Sequence, residues 1–493
     1  HPDQFDGFGQ TLWSFGQHVA ITGDLNFARE VFPSVTKAIE WLHNVRQSDP
    51  IGLISTATPN DNEYVSGHVT GHNLWGILGV KNALYLAEVL NEDSLANIFS
   101  KELSDYTDSL MVALNGVVKR FGYVTPGLDD EKGWDWGNFL LVYPTGFLQP
   151  FHPNVNKTMQ HARELFQQGI ITWAGFLHHY LTEVVLETEL IRNEQEKCLD
   201  GFYGLLLHTS STHSGFETLI RPWTNRDYSE VLAPHGTFAS KYRTLLRNML
   251  VREEGSVLHL FSCLAPSWID EGKEIVVENA PTNFGKISFR LESNALGAKL
   301  TFENQFHTNP DSIIVHIPVH RKLVSVNLHK SISSSGSHWF ILPIQTHEVQ
   351  ITWEIQEDVP FISYDNVVEK YLEEYRQKYE KFLQDSVQTS IDEESIIKNP
   401  EKIFLENNFP NPFNSSTIIQ YKLNKNTIVS ILIYNCLGQQ VRALLLEERQ
   451  MPGKYSIQWD GRDQYGVSVA SGVYIYCLKV KDFMISKKMV LIR

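Results

Sequence analysis

The sequence predicts a multidomain α + β protein, with helices in its first half and strands in its second. Its 493 residues exceed one ordinary domain. Apolar residues recur at helical spacing up to about residue 252, whereas short alternating or β-branched runs dominate from residue 257 onward. A polar, acidic stretch at 385–402 is typical of a linker and sets a last all-strand segment apart.

Roughly nine helices are predicted in the helical half, and bounds can be given for eight of them. The first is expected over 8–18 and ends at Gly23-Asp24; the second, over 31–42, tolerates Pro33 in its first turn. A polar loop from 48 to 70 follows. The remaining helices are predicted at 72–90, 91–119, 155–169, 173–193, 195–208 and 238–252. Long loops at alternate junctions indicate helical hairpins packed side by side.

The second half shows the spacing of strands. A β-sandwich is predicted from the runs at 274–278, 286–290, 299–303, 312–316 and 349–353. Residues 364–384 suit a charged helix with i,i+4 pairs. From residue 403, Asp-Gly and Leu-Gly between apolar runs indicate hairpins in a small sandwich. The expected domains are 1–254, 255–356, 357–402 and 403–493.

Composition excludes some classes of function and favours others. A net charge of -15 argues against nucleic acid as the main partner, and no apolar run is long enough for a membrane span. Aromatic content of 12% fits a carbohydrate-active protein, although large cores also use aromatic residues. The four cysteines have no metal-ligand spacing; we expect buried free thiols, with a Cys436–Cys477 bond as the alternative. No metal or cofactor is expected. The start at His1, without Met, reads as the middle of a helical domain and predicts a truncated or processed chain.

The stretch 207–223 is the most informative part of the sequence. It combines two histidines, a carboxylate, an arginine and a tryptophan with small hydroxyl residues. A sugar-binding pocket needs aromatic faces, hydrogen-bond donors and a positioned carboxylate, whereas a surface loop does not. Glu217 is therefore predicted to be half of a catalytic carboxylate pair. His213 and Arg221, four residues to either side, would favour its charged form, as a general base requires. The alternative is a structural salt bridge to Arg221. Trp223 extends the predicted substrate contacts.

Two further clusters are candidates for sugar contacts. Trp134, Asp135 and Trp136 would form a stacking platform with a hydroxyl-binding carboxylate, or else a buried aromatic plug. His178 and His179 precede Tyr180 and Glu183 at a helix start and would line the pocket and bind sugar hydroxyls. The absence of an HExxH pattern disfavours a metal site there.

The C-terminal segment contains a set of short motifs. They are NFPNPFN at 408–414, YNCLGQQV at 434–441, WDGRDQYG at 459–466, ASGVY at 470–474 and a basic end. Together they resemble the type A C-terminal sorting domain of type IX secretion cargo, an Ig-like β-sandwich. The resemblance implies handling by the type IX secretion machinery, export across the outer membrane, and a secreted or surface-attached product. Cys436 departs from the family, which usually has a polar or acidic residue there.

The layout of residues 1–255 resembles an (α/α)6 six-hairpin glycosidase, close to the glucoamylase-like enzymes, and the sandwich to about 355 fits the domain that often follows such barrels. The family places its general acid between the fifth and sixth barrel helices and its general base between the eleventh and twelfth. Counting back from 238–252 as the twelfth helix puts Glu63 in the acid loop and Glu217 in the base loop. The toroid would then lack its first three helices before His1.

Glu63 has surroundings that suit a general acid. It follows Asp61, whose charge would help raise the pKa of Glu63, and it precedes a helix with His72 and Trp75, which we expect to bind substrate. The alternative is a solvated loop glutamate near a helix start.

These observations predict a secreted or cell-surface glycoside hydrolase that acts on an oligo- or polysaccharide with inversion. Inversion needs two carboxyl groups about 6.5–9.5 Å apart, one protonated and one ionised. Alternatives are a phosphorolytic relative and a non-catalytic glycan-binding module. Export argues against phosphorolysis, because phosphate-conserving chemistry is useful inside cells.

Overall fold

The computed structural model describes residues 5–58, 64–130, 132–210, 214–216, 220, 234–328, 338–377, 403–435, 439–480 and 483–491. The chain divides into two compact units, residues 1–379 and 380–493. The first contains the helices and three β-sheets, and the described residues of the second form strands and no helix, so the multidomain α + β class is confirmed. Within the described ranges, no helix has both the length and the apolar character needed to cross a bilayer.

The helices of the first unit are α1 (Asp6–Thr22), α2 (Leu25–Ser48), α3 (Thr70–Val89), α4 (Asp93–Phe121), α5 (Pro153–Glu164), α6 (His179–Ile191), α7 (Gln195–Leu207), α8 (Gly236–Leu250) and α9 (364–377). A single 3₁₀ turn, Gly137–Phe139, stands between α4 and α5.

The junction between α1 and α2 shows how local chemistry sets a boundary. Gly23 adopts φ 69°, a left-handed conformation that ends α1 at low steric cost. The Asp24 carboxylate then accepts the N–H groups of Asn26 and Phe27, both at 3.0 Å, and starts α2. The predicted start at residue 31 was wrong. Pro33 lies inside the helix rather than in its first turn.

Residues 166–177 also differ from the prediction. Where helices were expected over 155–169 and from 173, the chain forms three short antiparallel strands, β1 (Phe166–Gln167), β2 (Ile170–Trp173) and β3 (Phe176–Leu177). Gly169 and Gly175 take φ values of 89° and 81° at the two turns. β-branched residues between them favour the extended conformation.

The helices of the first unit differ in how much of their surface is buried. Buried residues cover all sides of α3 and α6, whereas α1, α2, α4, α5 and α8 bury one side. α1 packs on α3, and α6 packs on α8. Long loops precede α3, α6 and α8. A bridge between Val69 and Gly127 joins the loop before α3 to the segment after α4, and a bridge between Leu177 and Ile220 joins the segment before α6 to the loop before α8. This is the helical-hairpin arrangement that the loop pattern predicts.

Two sheets form the β-sandwich. One has the strand order β10-β12-β8-β7-β6 and the other β11-β9-β5-β4. The strands are β4 (Val251–Glu254), β5 (Val257–Leu260), β6 (Glu274–Thr282), β7 (Gly285–Asn294), β8 (Gly297–Phe306), β9 (Ser312–His316), β10 (Arg321–Val326), β11 (Trp339–Leu342) and β12 (Glu348–Ile355). Burial alternates along β7, so one face of that strand packs in a core containing Phe289, Phe302 and Phe340.

The second unit is a smaller sandwich with the sheets β13-β14-β17 and β16-β15-β18-β19. Its strands are β13 (Phe404–Leu405), β14 (Thr417–Leu423), β15 (Thr427–Asn435), β16 (Gln440–Gln450), β17 (Gly453–Trp459), β18 (Gly472–Val480) and β19 (Phe483–Leu491). Trp459 is fully buried at its centre. Across the described ranges, Cys198, Cys263 and Cys477 are buried free thiols; Cys436 lies outside those ranges.

Candidate active site

A cavity of about 530 Å³ lies between the helices of the first unit, α1 to α8, which we call the helical ring. Five segments supply its walls: α1, α3, the turn at 140–144, α6 and α8. The lining side chains include Gln10, Trp13, Ser14, Trp75, Tyr143, Tyr180, Glu183, Glu187, Ser240, Lys241 and Thr244. The cavity therefore combines aromatic faces with hydroxyl, carboxyl and ammonium groups, a mixture that suits a polar ligand with a ring.

Close packing of α1 on α3 positions two of the aromatic walls. A Cβ atom at Gly9 would lie 1.9 Å from the Trp75 carbonyl oxygen, so only glycine fits at this crossing. The rings of Trp13 and Trp75 then contact each other with centroids 5.7 Å apart. Trp136 contacts Tyr180 at the same centroid distance, although Trp136 is not among the cavity-lining residues.

Glu183 is the most unusual group in the cavity. Its side chain is buried, with 1% exposure, and neither carboxylate oxygen has a hydrogen-bond partner among the described residues. Burial raises the pKa of Glu183 well above its usual value, with opposition from Lys241. Burial also lowers the pKa of Lys241, whose Nζ lies 4.3 Å from the Tyr180 ring centroid.

Glu187 lies one helical turn further along α6 and is held differently. Asn248 of α8 donates its Nδ2 to both Glu187 oxygens, at 3.1 and 3.0 Å. Burial raises the pKa of Glu187 to about 7. Tyr143 lies close enough for burial and the charge of Glu187 to raise the pKa of its phenol. Glu187 thus joins α6 to α8.

A chain of aromatic contacts connects Tyr64, in the loop before α3, with the cavity. The ring of Tyr64 lies 4.3 Å from that of Trp134, and Trp134 lies 4.0 Å from Trp173 in an edge-on contact. Trp173 in turn contacts His178 at 5.5 Å, and His178 contacts Tyr180 of the cavity at 6.3 Å. The loop before α3 and the start of α6 are therefore parts of one aromatic cluster.

The start of α6 also holds the loop that leads to α8. The Phe216 backbone N–H donates to His179 Nδ1 at 3.3 Å, and Ile220 exchanges two backbone hydrogen bonds with Leu177. Burial lowers the pKa of His178 to about 4 and that of His179 well below its ordinary value. Both imidazoles are consequently neutral near pH 7 and accept hydrogen bonds through Nδ1.

The structure places the predicted site residues differently. Trp75 lines the cavity, and Trp134, Trp136 and His178 belong to the aromatic cluster beside it. His179 lies against the Phe238 ring of α8, with centroids 4.6 Å apart. His72 is buried against the edge of the Phe5 ring and is absent from the cavity lining. Five others, Glu63, His213, Glu217, Arg221 and Trp223, lie outside the described ranges.

Asp135 has protein partners of its own. Its carboxylate accepts from Asn138 Nδ2 at 2.7 Å and lies 2.9 Å from His161 Nε2. The His161 ring stacks on Tyr123 with centroids 3.7 Å apart. These contacts order the loop that carries Trp134 and Trp136. The predicted contact between Asp135 and a substrate stays a prediction.

Sequence reasoning missed Glu187, Lys241 and Tyr143, and considered Glu183 only as a pocket neighbour. The available signal was the spacing of Glu183 and Glu187 at i,i+4 in an otherwise apolar helix, where buried carboxylates need a reason. No group of three or more His, Cys, Asp or Glu side chains that could hold a metal occurs among the described residues.

Comparison with known proteins identifies the C-terminal unit. Residues 407–492 match the family model described as "Secretion system C-terminal sorting domain". The type IX sorting domain recognised from its motifs is thereby confirmed, and it indicates secretion and cell-surface attachment. No curated protein sequence matches the chain.

Solved structures similar to the chain include several glycosidases. A wild-type glycosidase is 15% identical with a TM-score of 0.37, over 50% of this chain and 67% of its own. A GH78 family rhamnosidase of Bacillus sp. GL1 is 18% identical with a TM-score of 0.45, over 62% and 32%. An alpha-L-rhamnosidase from Dictyoglomus thermophilum is 10% identical with a TM-score of 0.42, over 67% and 38%. At these values, the similarities carry no argument about activity.

Proposed function

We propose that the helical ring is an exported glycoside hydrolase that acts on an oligo- or polysaccharide with inversion. Glu63 is the general acid and Glu217 the general base. The sugar ring lies against the aromatic walls of the cavity, and its hydroxyl groups bind the polar side chains between them.

One observation carries this proposal. Tyr64, which follows Glu63 in the chain, belongs to the same aromatic cluster as His178. The next residue, His179, holds Phe216, which precedes Glu217. The chain neighbours of both proposed carboxylates are thus anchored beside the cavity, as an acid–base pair requires.

The chemistry follows from the two protonation states. Protonated Glu63 donates its proton to the glycosidic oxygen as the bond to the anomeric carbon breaks. Glu217, ionised, takes a proton from a water that attacks the opposite face of the sugar, which inverts the anomeric configuration. The neutral imidazoles of His178 and His179 add no positive charge beside the start of α6.

Hydrolysis of a glycan panel by the full chain tests the proposal. Glu63→Gln and Glu217→Gln keep the size of each side chain but remove its acid–base function, so each should lower turnover about 10²- to 10⁴-fold. Glu88→Gln, on an exposed residue near the C-terminal end of α3, is the matched control and should keep full activity. Unchanged turnover in Glu217→Gln would exclude the assigned base. Binding without turnover in the wild type would indicate a glycan-binding module instead.

A further inference from the structure

Glu183 is a buried acid without a hydrogen-bond partner among the described residues. It lines the cavity with 1% exposure, and no described residue donates a hydrogen bond to either oxygen. Leaving a buried carboxyl unsatisfied is unfavourable, because its lost hydration is not replaced. Glu187, the other described carboxylate in the cavity, accepts two hydrogen bonds from Asn248. Donors for Glu183 must therefore come from the contents of the cavity.

We propose that Glu183 and Lys241 form a specificity subsite for an uncharged sugar ring with free hydroxyl groups. The subsite rests on the proposed glycosidase function and names its substrate class. Glu183 accepts hydrogen bonds from two hydroxyl groups, and Lys241 donates to a third oxygen from the opposite helix α8. Trp13 and Trp75 supply the apolar faces beside them.

The charges that face the cavity favour an uncharged sugar. Its described lining contains two acids, Glu183 and Glu187, and one base, Lys241. Lys241 already interacts electrostatically with both acids, and Asn248 occupies both Glu187 oxygens. A carboxylate or ammonium group on the sugar would therefore lose its hydration in the cavity without gaining a free partner of opposite charge. A hydroxyl group both donates and accepts, so it satisfies the carboxylate and the ammonium group without adding charge.

Isothermal titration of the full chain in a Glu217→Gln background tests the subsite. Three sets of tetrasaccharide probes are compared: neutral (cello-, malto-, manno-), acidic (galacturonate) and basic (glucosamine). A neutral probe should bind most tightly. Adding Glu183→Gln should weaken its binding about tenfold or more, because an amide nitrogen replaces one of the two oxygens that accept hydrogen bonds from the sugar. Lys241→Met should also weaken it and provides an independent test if Glu183→Gln fails to fold.

Glu189→Gln is the matched control on the same helix. Glu189 is buried, but it pairs with Arg163 and is absent from the cavity lining. This variant should lower the melting temperature and keep the affinity for the probe. Glu183→Gln should raise the melting temperature and weaken probe binding, because it removes a buried acid that has no hydrogen-bond donor among the described residues.

The outcomes separate the subsite from the reaction. Wild-type affinity in both Glu183→Gln and Lys241→Met, tightest binding of an acidic or basic probe, or no binding of any neutral probe would overturn the subsite. If neutral probes bind through Glu183 while the wild type hydrolyses none, the subsite stands and the glycosidase function fails. If glycans are hydrolysed but Glu183→Gln binds them normally, the glycosidase function stands and the subsite fails.

Discussion

Glu183 and Glu187 lie one helical turn apart on α6 and line the same cavity, yet only Glu187 has a hydrogen-bond donor among the described residues. Asn248 donates to both Glu187 oxygens, at 3.1 and 3.0 Å. Two glutamates on the same helix therefore have different roles. Glu187 stabilises the packing of α6 on α8, and Glu183 remains available to a ligand.

Removal of the Asn248 amide should destabilise the first unit. Asn248→Ala leaves the Glu187 carboxylate buried without its donor and should lower the free energy of unfolding by about 1 to 3 kcal/mol. Urea unfolding followed by tryptophan fluorescence measures this change. Asn366→Ala, which removes an exposed amide, should change it by less than about 0.5 kcal/mol. Equal stability of the two variants would contradict the role of Asn248.

Stability should fall as the pH is lowered from 6.5 towards 4.5. Burial lowers the pKa values of His259, His316 and His320 to about 2, 3 and 4, so the unfolded chain binds protons that the folded chain does not. Glu187 and Glu189, with pKa values raised to about 7, act in the opposite direction, since their contribution is lost as pH rises. Glu183 acts as these acids do, whereas burial also lowers the pKa values of His178, His179 and His208. Six buried histidines thus oppose three buried acids and should dominate.

The urea midpoint at pH 5.0 and 6.5, at constant ionic strength, measures this dependence. The midpoint should be higher at pH 6.5. His316→Gln should make the dependence shallower because it removes one suppressed protonation site. A midpoint that stays constant or rises on acidification would contradict the prediction.

Two glycines in α1 should respond oppositely to alanine. Gly9→Ala places a methyl group against the Trp75 carbonyl and should cost about 1 to 3 kcal/mol by forcing α1 away from α3. Gly7→Ala meets no atom within 4 Å and should raise stability by about 0.5 to 1 kcal/mol through helix propensity. Thermal unfolding of both variants distinguishes them. A stable Gly9→Ala protein would mean that the two helices are packed less closely.

Local sequence signals gave much of the fold. The strands at 274–282, 285–294 and 348–355 follow from period-2 alternation, and α3 and α4 follow from apolar spacing. The miss at 166–177 has a physical cause: two glycine turns divide a stretch of helix-like hydrophobicity into strands too short for periodicity to show. At α2, the start depends on capping by the Asp24 side chain, and Pro33, which a first helical turn also tolerates, lies inside the helix.

The candidate site was less predictable, because its features arise between distant segments. Glu187 differs from Glu183 only through Asn248, which lies 61 residues away in the chain. Lys241 looks like an ordinary helix lysine until α8 packs beside α6. The aromatic motif around Trp134 was recognisable, but its contacts with Tyr64 and Trp173 depend on the loops meeting in the fold.

The sorting domain should fail when its core is disrupted. Trp459 is fully buried between Phe413 and Tyr474, so Trp459→Ala should cost the second unit about 3 to 5 kcal/mol. In a host with the secretion system, the full-length variant should accumulate inside the cell envelope instead of at the surface. Tyr465→Ala, on a side chain with 90% exposure, should be exported normally. Normal surface levels of Trp459→Ala would contradict the requirement for a folded sorting domain.

Proton NMR of the first sugar released by the full-length chain tests the central claim most directly. With a glycan selected from the hydrolysis panel, the new reducing end should appear first as the anomer opposite to that of the cleaved bond. This signal should be absent with Glu217→Gln and with Glu63→Gln. A first product with the original anomeric configuration, or normal release by Glu217→Gln, would contradict inverting hydrolysis by this pair.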